Sequence, residues 1–256
     1  MSTWPLELFD FAYIPDMDQE LNRLAALAED EDWEYKNSPG LAKKRPILHN
    51  YIRFTYKRLA EEGQIELSDD GQMIVFDTGL VTKNQEPIFA LFSHNYIQNR
   101  QPWHFKKWCR KGEGDLNVFS ALPDMAHYFT DPSSLIFDRR KELRINYEHI
   151  IQDNKDRFPE PYKSMEDHTL QIFLKGYIDN VKERIKRNYK TAVPQYYNGN
   201  IQLLLPLCMS SPSRADLALV AENKGNFYRI ATCLTLDMAY NNARQLARPD
   251  KDWLQP

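Results

Sequence analysis

A chain of 256 residues with 42% hydrophobic and 27% charged side chains can bury a full core, which excludes wholesale disorder. Its net charge of −3 excludes a surface dominated by phosphate binding, so any nucleic-acid role must use a local basic patch. No apolar run approaches the ~20 residues that span a bilayer, and no basic-then-apolar leader opens the chain. One of three separated cysteines (Cys109, Cys208, Cys233) stays unpaired in any disulfide scheme, so a cytoplasmic, reducing location with no membrane partner is expected.

In chain order, Leu21, Leu24, Ala25, Leu27 and Ala28 recur at helical spacing between Pro15 and Trp33, with Asp16 or Asp18 placed to cap. Pro46 opens a second helix and Gly63 stops it. The pattern then changes to strand. "QIELSDDGQMIVFDTGL" reads as a hairpin around Ser-Asp-Asp-Gly, and "EPIFALF", "WHFKKW" and "SSLIFD" read as further strands. The longest helix runs from Thr169 to about Lys190, with Leu170, Phe173, Leu174, Tyr177, Ile178, Val181 and Ile185 along one face. Three strands follow, "NIQLLLPLC", "ADLALVAE" and "FYRIATCLT", the last two joined through an Asn-Lys-Gly turn. Thr235 caps a final helix that Pro249 prevents from running much further. Strand-to-strand turns dominate, so the expected fold is α+β, with a mixed, largely antiparallel sheet flanked by helices and shared by both halves. The whole chain, 1–256, then forms one domain, with the helical segment 1–62 packed on it.

Motifs that fix a reaction are missing: no Walker loop, no GxGxxG after a strand, no HExxH and no GxSxG. No close pair of Cys or His residues supplies two ligands from one turn, so neither a metal nor a cofactor is expected. "KGEGD" at 111–115 reads as a surface turn. Asp77-Thr78-Gly79 resembles an aspartic-protease loop, but that chemistry needs a second carboxylate loop and the chain offers none. It reads instead as a turn at a strand end. In "RINYEHII", His149 beside Glu148 supplies half of an acid/base pair, or an ordinary cap. Asp237, Asn241 and Arg244 fall on one stripe of the last helix, where they either tie it to the sheet or read a ligand.

The richest stretch is "RNYKTAVPQYYNGN", residues 187–200. Cations at a helix C-terminus are explained by the dipole alone. The tyrosines are not. Tyr189, Tyr196 and Tyr197, with Arg187, Lys190 and Gln195, form either a stacking platform for bases or the seal of a helix–sheet junction.

The strings "RNYKTAVPQYY…IQLLLPLC", "ADLALVAE" and "YRIATCLTLDMAYNNARQLARPDKDWL", with "FDTGLVT…EPIFALF" and "LPDMAHYF" upstream, resemble the family called domain of unknown function 3825 over nearly the whole chain. The resemblance implies an uncharacterised bacterial domain. It also implies relatives joined to nucleic-acid-binding modules, and Asn where this chain has Asp77. The expected function is RNA or nucleotide binding through Arg187, Tyr189, Lys190, Gln195, Tyr196 and Tyr197, with Asn241 and Arg244. Two alternatives stay open. One is a nucleotide or phosphodiester hydrolase using His149 or Asp237; the other is a protein-interaction scaffold.

Overall fold

The computed structural model describes residues 4–37, 44–249 and 253–254. The fold is α+β, and the chain divides into two compact units: Met1–Tyr35 with Gly40–Tyr128, and Lys36–Pro39 with Phe129–Pro256.

The first unit holds α1 (Leu8–Phe11), β1 (Ala12–Tyr13), α2 (Met17–Leu27), α3 (Pro46–Glu62), β2 (Glu66–Leu67), β3 (Met73–Val81), β4 (Pro87–His94) and β5 (Trp103–Arg110). Asp16 caps α2 by accepting from the Gln19 amide at 2.9 Å, and Gly63 closes α3. The sheet order is β1-β5-β4-β3-β2, antiparallel except for the β1–β5 pair. Its core is aromatic: Phe11 lies 4.9 Å from Tyr56 and 5.4 Å from Phe92 between ring centres.

Asp77-Thr78-Gly79 does not end a strand. It forms a bulge inside β3, where pairing steps from Asp77–Phe89 to Leu80–Ile88. Side chains close the gap in the ladder: Thr78 Oγ1 donates to the Ile88 carbonyl at 2.6 Å, and Asp77 Oδ1 accepts from the Gly79 amide at 2.7 Å. Gly79 has φ of +69°, and a Cβ there would stand 2.6 Å from the Tyr51 hydroxyl. Gly79→Ala should therefore destabilise this unit by roughly 1–3 kcal/mol from backbone strain alone, with the clash in addition. An unchanged denaturation midpoint would contradict this account of the bulge.

The second unit begins with a 3-10 turn (Pro132–Leu135) and continues through β6 (Glu142–Ile145), α4 (Tyr147–Asn154), α5 (Asp167–Arg187), a 3-10 turn (Tyr189–Thr191), β7 (Val193–Tyr197), β8 (Asn200–Leu207), β9 (Leu217–Asn223), β10 (Phe227–Thr235) and α6 (Leu236–Ala243). Its sheet order is β6-β10-β9-β8-β7, antiparallel except for the β6–β10 pair. Leu170, Leu174, Ile178, Val181 and Ile185 of α5 pack on Leu203, Leu205 and Leu207 of β8. The neighbouring β8 positions point the other way. Gln202 and its β7 partner Gln195 lie on that opposite face, where Asn242 of α6 donates to Gln195 Oε1 at 3.2 Å.

Several expectations are corrected. The described residues form two five-stranded sheets, one in each unit, where the sequence suggested one shared sheet. "SSLIFD" forms no strand: Asp131 accepts from the Ser133 amide at 2.9 Å, and Pro132 starts a 3-10 turn in its place. The long helix stops at Arg187 because the Asn188 side chain captures the Lys190 amide at 3.0 Å and turns the chain. Phe173, placed on the buried stripe, is 45% exposed. The segment after α5 also holds a strand that the sequence reading did not place, β7. Pro194 is tolerated because β7 is an edge strand, and Asn198 (φ +47°) and Gly199 (φ +80°) turn it into β8.

Candidate functional site

The second unit carries the site, which begins in the loop after the 3-10 turn. Phe137 stacks on Tyr228 of β10 with ring centres 4.5 Å apart and planes at 18°. The Asp138 amide donates to the Tyr228 hydroxyl at 2.9 Å. These contacts fix the three residues that follow, Arg139, Arg140 and Lys141. Arg140 is held two-pronged by Asp138, through Nε and Nη2 at 2.9 Å each. That pairing, more than any other influence, holds the Asp138 carboxyl down at about 2. Lys141 Nζ donates to Asn223 Oδ1 at 2.9 Å and lies 5.4 Å from the centre of the Tyr228 ring, and its charge adds a smaller pull on Asp138. Arg139 is exposed and has no ion-pair partner among the described residues.

The end of α5 supplies the other wall. Lys186 (2.8 Å) and Arg187 (2.7 Å) share the carboxylate of Glu183, whose pKa both lower, Lys186 the more. Two cations on one carboxylate leave a net positive charge, and the helix C-terminus favours them there. Tyr189 projects from the turn beyond, 66% exposed.

These pieces enclose an open cleft of about 760 Å³. Five cations line it (Arg139, Arg140, Lys141, Lys186, Arg187) against two carboxylates, Asp131 and Asp138. In a chain of net charge −3, that is a local reversal of sign. A second groove of about 380 Å³ adjoins it, and Ile136 and Tyr189 line both. Its walls are mainly apolar, including Leu135, Val193, Pro194 and Leu246, with Lys190 and Arg248 among them.

The structure divides the residues singled out from sequence. Arg187 and Tyr189 face the basic cleft, and Tyr189 and Lys190 face the groove. Gln195 does not join them: it is 1% exposed, bonded to Gln202 at 2.8 Å beneath α6. Tyr196 is half-buried on the α5 side of β7, while Tyr197 stands half-exposed at the hairpin end. At ~3.3 Å per residue, Tyr197 lies about 13 Å along the strand from Val193, too far to share one base with Tyr189. Asn241 and Arg244 are buried and line neither cleft.

His149 and Asp237 do not meet. His149 pairs with Asp153 at 2.5 Å on exposed α4, whose Ile150 and Ile151 join the α5 side of the core. Asn146 caps that helix, accepting from the His149 amide at 3.2 Å. Asp237 opens α6, the helix that bonds to Gln195 on the other face, and is 1% exposed. Its carboxylate accepts from the Lys36 amide at 3.1 Å, the Asn37 amide at 2.9 Å and the Asn37 side chain at 3.3 Å. Both oxygens therefore tie residues 36–37 to α6.

Burial raises all three thiols, Cys109 to about 11 and Cys233 to about 12, so none is a ready nucleophile. Cys208 is raised although Arg184 donates to its sulfur at 2.9 Å. Among the described residues, no group of three or more His, Cys, Asp or Glu side chains is placed to hold a metal ion. No helix there is long and apolar enough to cross a membrane.

Sequence reasoning missed Arg139, Arg140 and Lys141. The run "RRK" was the available signal, but it sits beside a segment that reads as strand, and only the fold carries it to the end of α5.

The molecule is thus an α+β protein whose second unit presents a basic cleft bordered by an exposed tyrosine. Its sequence matches the family model described as Domain of unknown function (DUF3825) across residues 24–253, and the chain belongs to that family. No curated protein and no solved structure matches it.

Proposed function

We propose that this protein binds RNA or a nucleotide through the cleft between the 137–141 loop and the end of α5. One observation carries the reading: five cations converge on a single cleft of an acidic chain, with the exposed ring of Tyr189 at its edge. Guanidinium and ammonium groups neutralise phosphates, and an exposed aromatic face stacks on a base. Arg139 is the strongest phosphate contact because no carboxylate among the described residues pairs with it, and Lys141 follows, since it acts on Asp138 only through space, whereas Arg140 is already engaged by Asp138.

Fluorescence anisotropy with a labelled single-stranded RNA tests the proposal. If about three phosphates are neutralised, a fourfold rise in salt weakens binding about 20-fold, and Arg139→Ala lowers the slope of log K against log salt by about 0.7. Affinity that ignores salt, or an Arg139→Ala, Lys141→Ala double variant that binds like the parent, would refute it.

A further inference from the structure

We infer that the apolar groove beside the basic cleft is a base-binding subsite. The ligand is then a nucleotide unit, free or within a strand, and not a bare anion such as polyphosphate. The inference rests on the phosphate reading of the cleft and adds the other half of the ligand.

Three observations carry it. The groove and the cleft are contiguous, since Ile136 and Tyr189 line both. Their chemistry differs across that ridge: five cations line one side, while Leu135, Val193, Pro194 and Leu246 dominate the other, with Lys190 and Arg248 among them. A nucleotide has the same division, an anionic phosphate joined through a sugar to a flat, weakly polar ring. Tyr189 is the third point. Its ring is 66% exposed, yet the Asn188 side chain fixes the turn that bears it through the Lys190 amide, so the ring is held out without being packed. A bare polyanion would gain nothing from the apolar walls of the groove, Leu135, Val193, Pro194 and Leu246. A base entering the groove removes apolar surface from water and stacks on Tyr189, with ~1–3 kcal/mol expected per stacked base.

The test compares a labelled short oligoadenylate with an abasic ribose-phosphate strand of equal length and charge. The base-bearing strand should bind roughly tenfold tighter, the equivalent of one stacked base. Ala247 is exposed and lines the groove, so Ala247→Leu adds branched bulk there, with no ring on which a base could stack. That variant should erase the difference between the strands while leaving abasic affinity unchanged. Tyr189→Phe should keep the difference and Tyr189→Ala should lose it. Equal affinity of the parent for both strands, or a difference that survives both Ala247→Leu and Tyr189→Ala, overturns the base subsite and leaves the phosphate reading standing. Failure to bind either strand overturns both. Adenosine monophosphate as competitor separates the two sources: displacement at concentrations near the strand's own indicates a free nucleotide, and its absence indicates RNA.

Discussion

Replacing Asp77 by Asn raises the melting temperature of the first unit at pH 7.5 and leaves it unchanged below pH 4. Burial in the β3 bulge pushes the Asp77 carboxyl up from 3.8 to about 6, and the nearby Asp124 adds to the shift. The Gly79 amide and Lys111 offset part of it. Because the folded value lies above the unfolded one, the native state holds this proton more tightly than the unfolded chain does. The stabilisation is complete below the unfolded pKa and is lost as pH rises through the folded one, from about 4 to 6. A shift of about two units corresponds to ~3 kcal/mol at most between these limits. Asparagine keeps the carbonyl oxygen that accepts from the Gly79 amide at 2.7 Å and carries no charge to desolvate. Thermal denaturation of both proteins across this range reads the effect directly. Parallel stability curves would mean that Asp77 is solvated in the folded protein.

Asp237→Ala destabilises the second unit by about 3 kcal/mol. The carboxylate is almost wholly buried and accepts two main-chain N–H groups, from Lys36 and Asn37. Each donor left without an acceptor costs about 1–3 kcal/mol, and the bonds lost are charge-assisted. Asp237→Asn retains one acceptor and should fall between parent and alanine variant. Urea denaturation gives the comparison. An alanine variant as stable as the parent would remove this structural role and reopen Asp237 as an acid or base.

The legible parts of the fold are those with a strong local period. The α5 stripe Leu170, Leu174, Ile178, Val181, Ile185 reads correctly because each residue repeats at helical spacing and all of them are buried. The hairpin turns are readable from their Gly and Asn residues, and Asp16 and Thr235 cap helices as their side chains suggest. Errors occur where a short side chain competes with the pattern. Asp131 and Pro132 turn an apolar run into a 3-10 helix, and β6 and α4 are too short for a period to show. The split into two sheets is illegible because strand partners far apart in sequence are chosen by packing, not by local preference.

The candidate site shows the same division. Composition and local pattern by themselves determined that this is an α+β chain, that any phosphate-binding role must use a local basic patch, and that "RNYK" lies near the end of a long helix. Only the tertiary structure decided which of those residues meet. It turned Gln195 under α6, sent Tyr197 to the far end of β7, and spent both Asp237 oxygens on the backbone. It also carried Arg139, Arg140 and Lys141 beside Arg187 and Tyr189. The reason is physical: the period of a segment follows from neighbours a few residues away, whereas the direction and company of a side chain follow from which faces the distant chain buries.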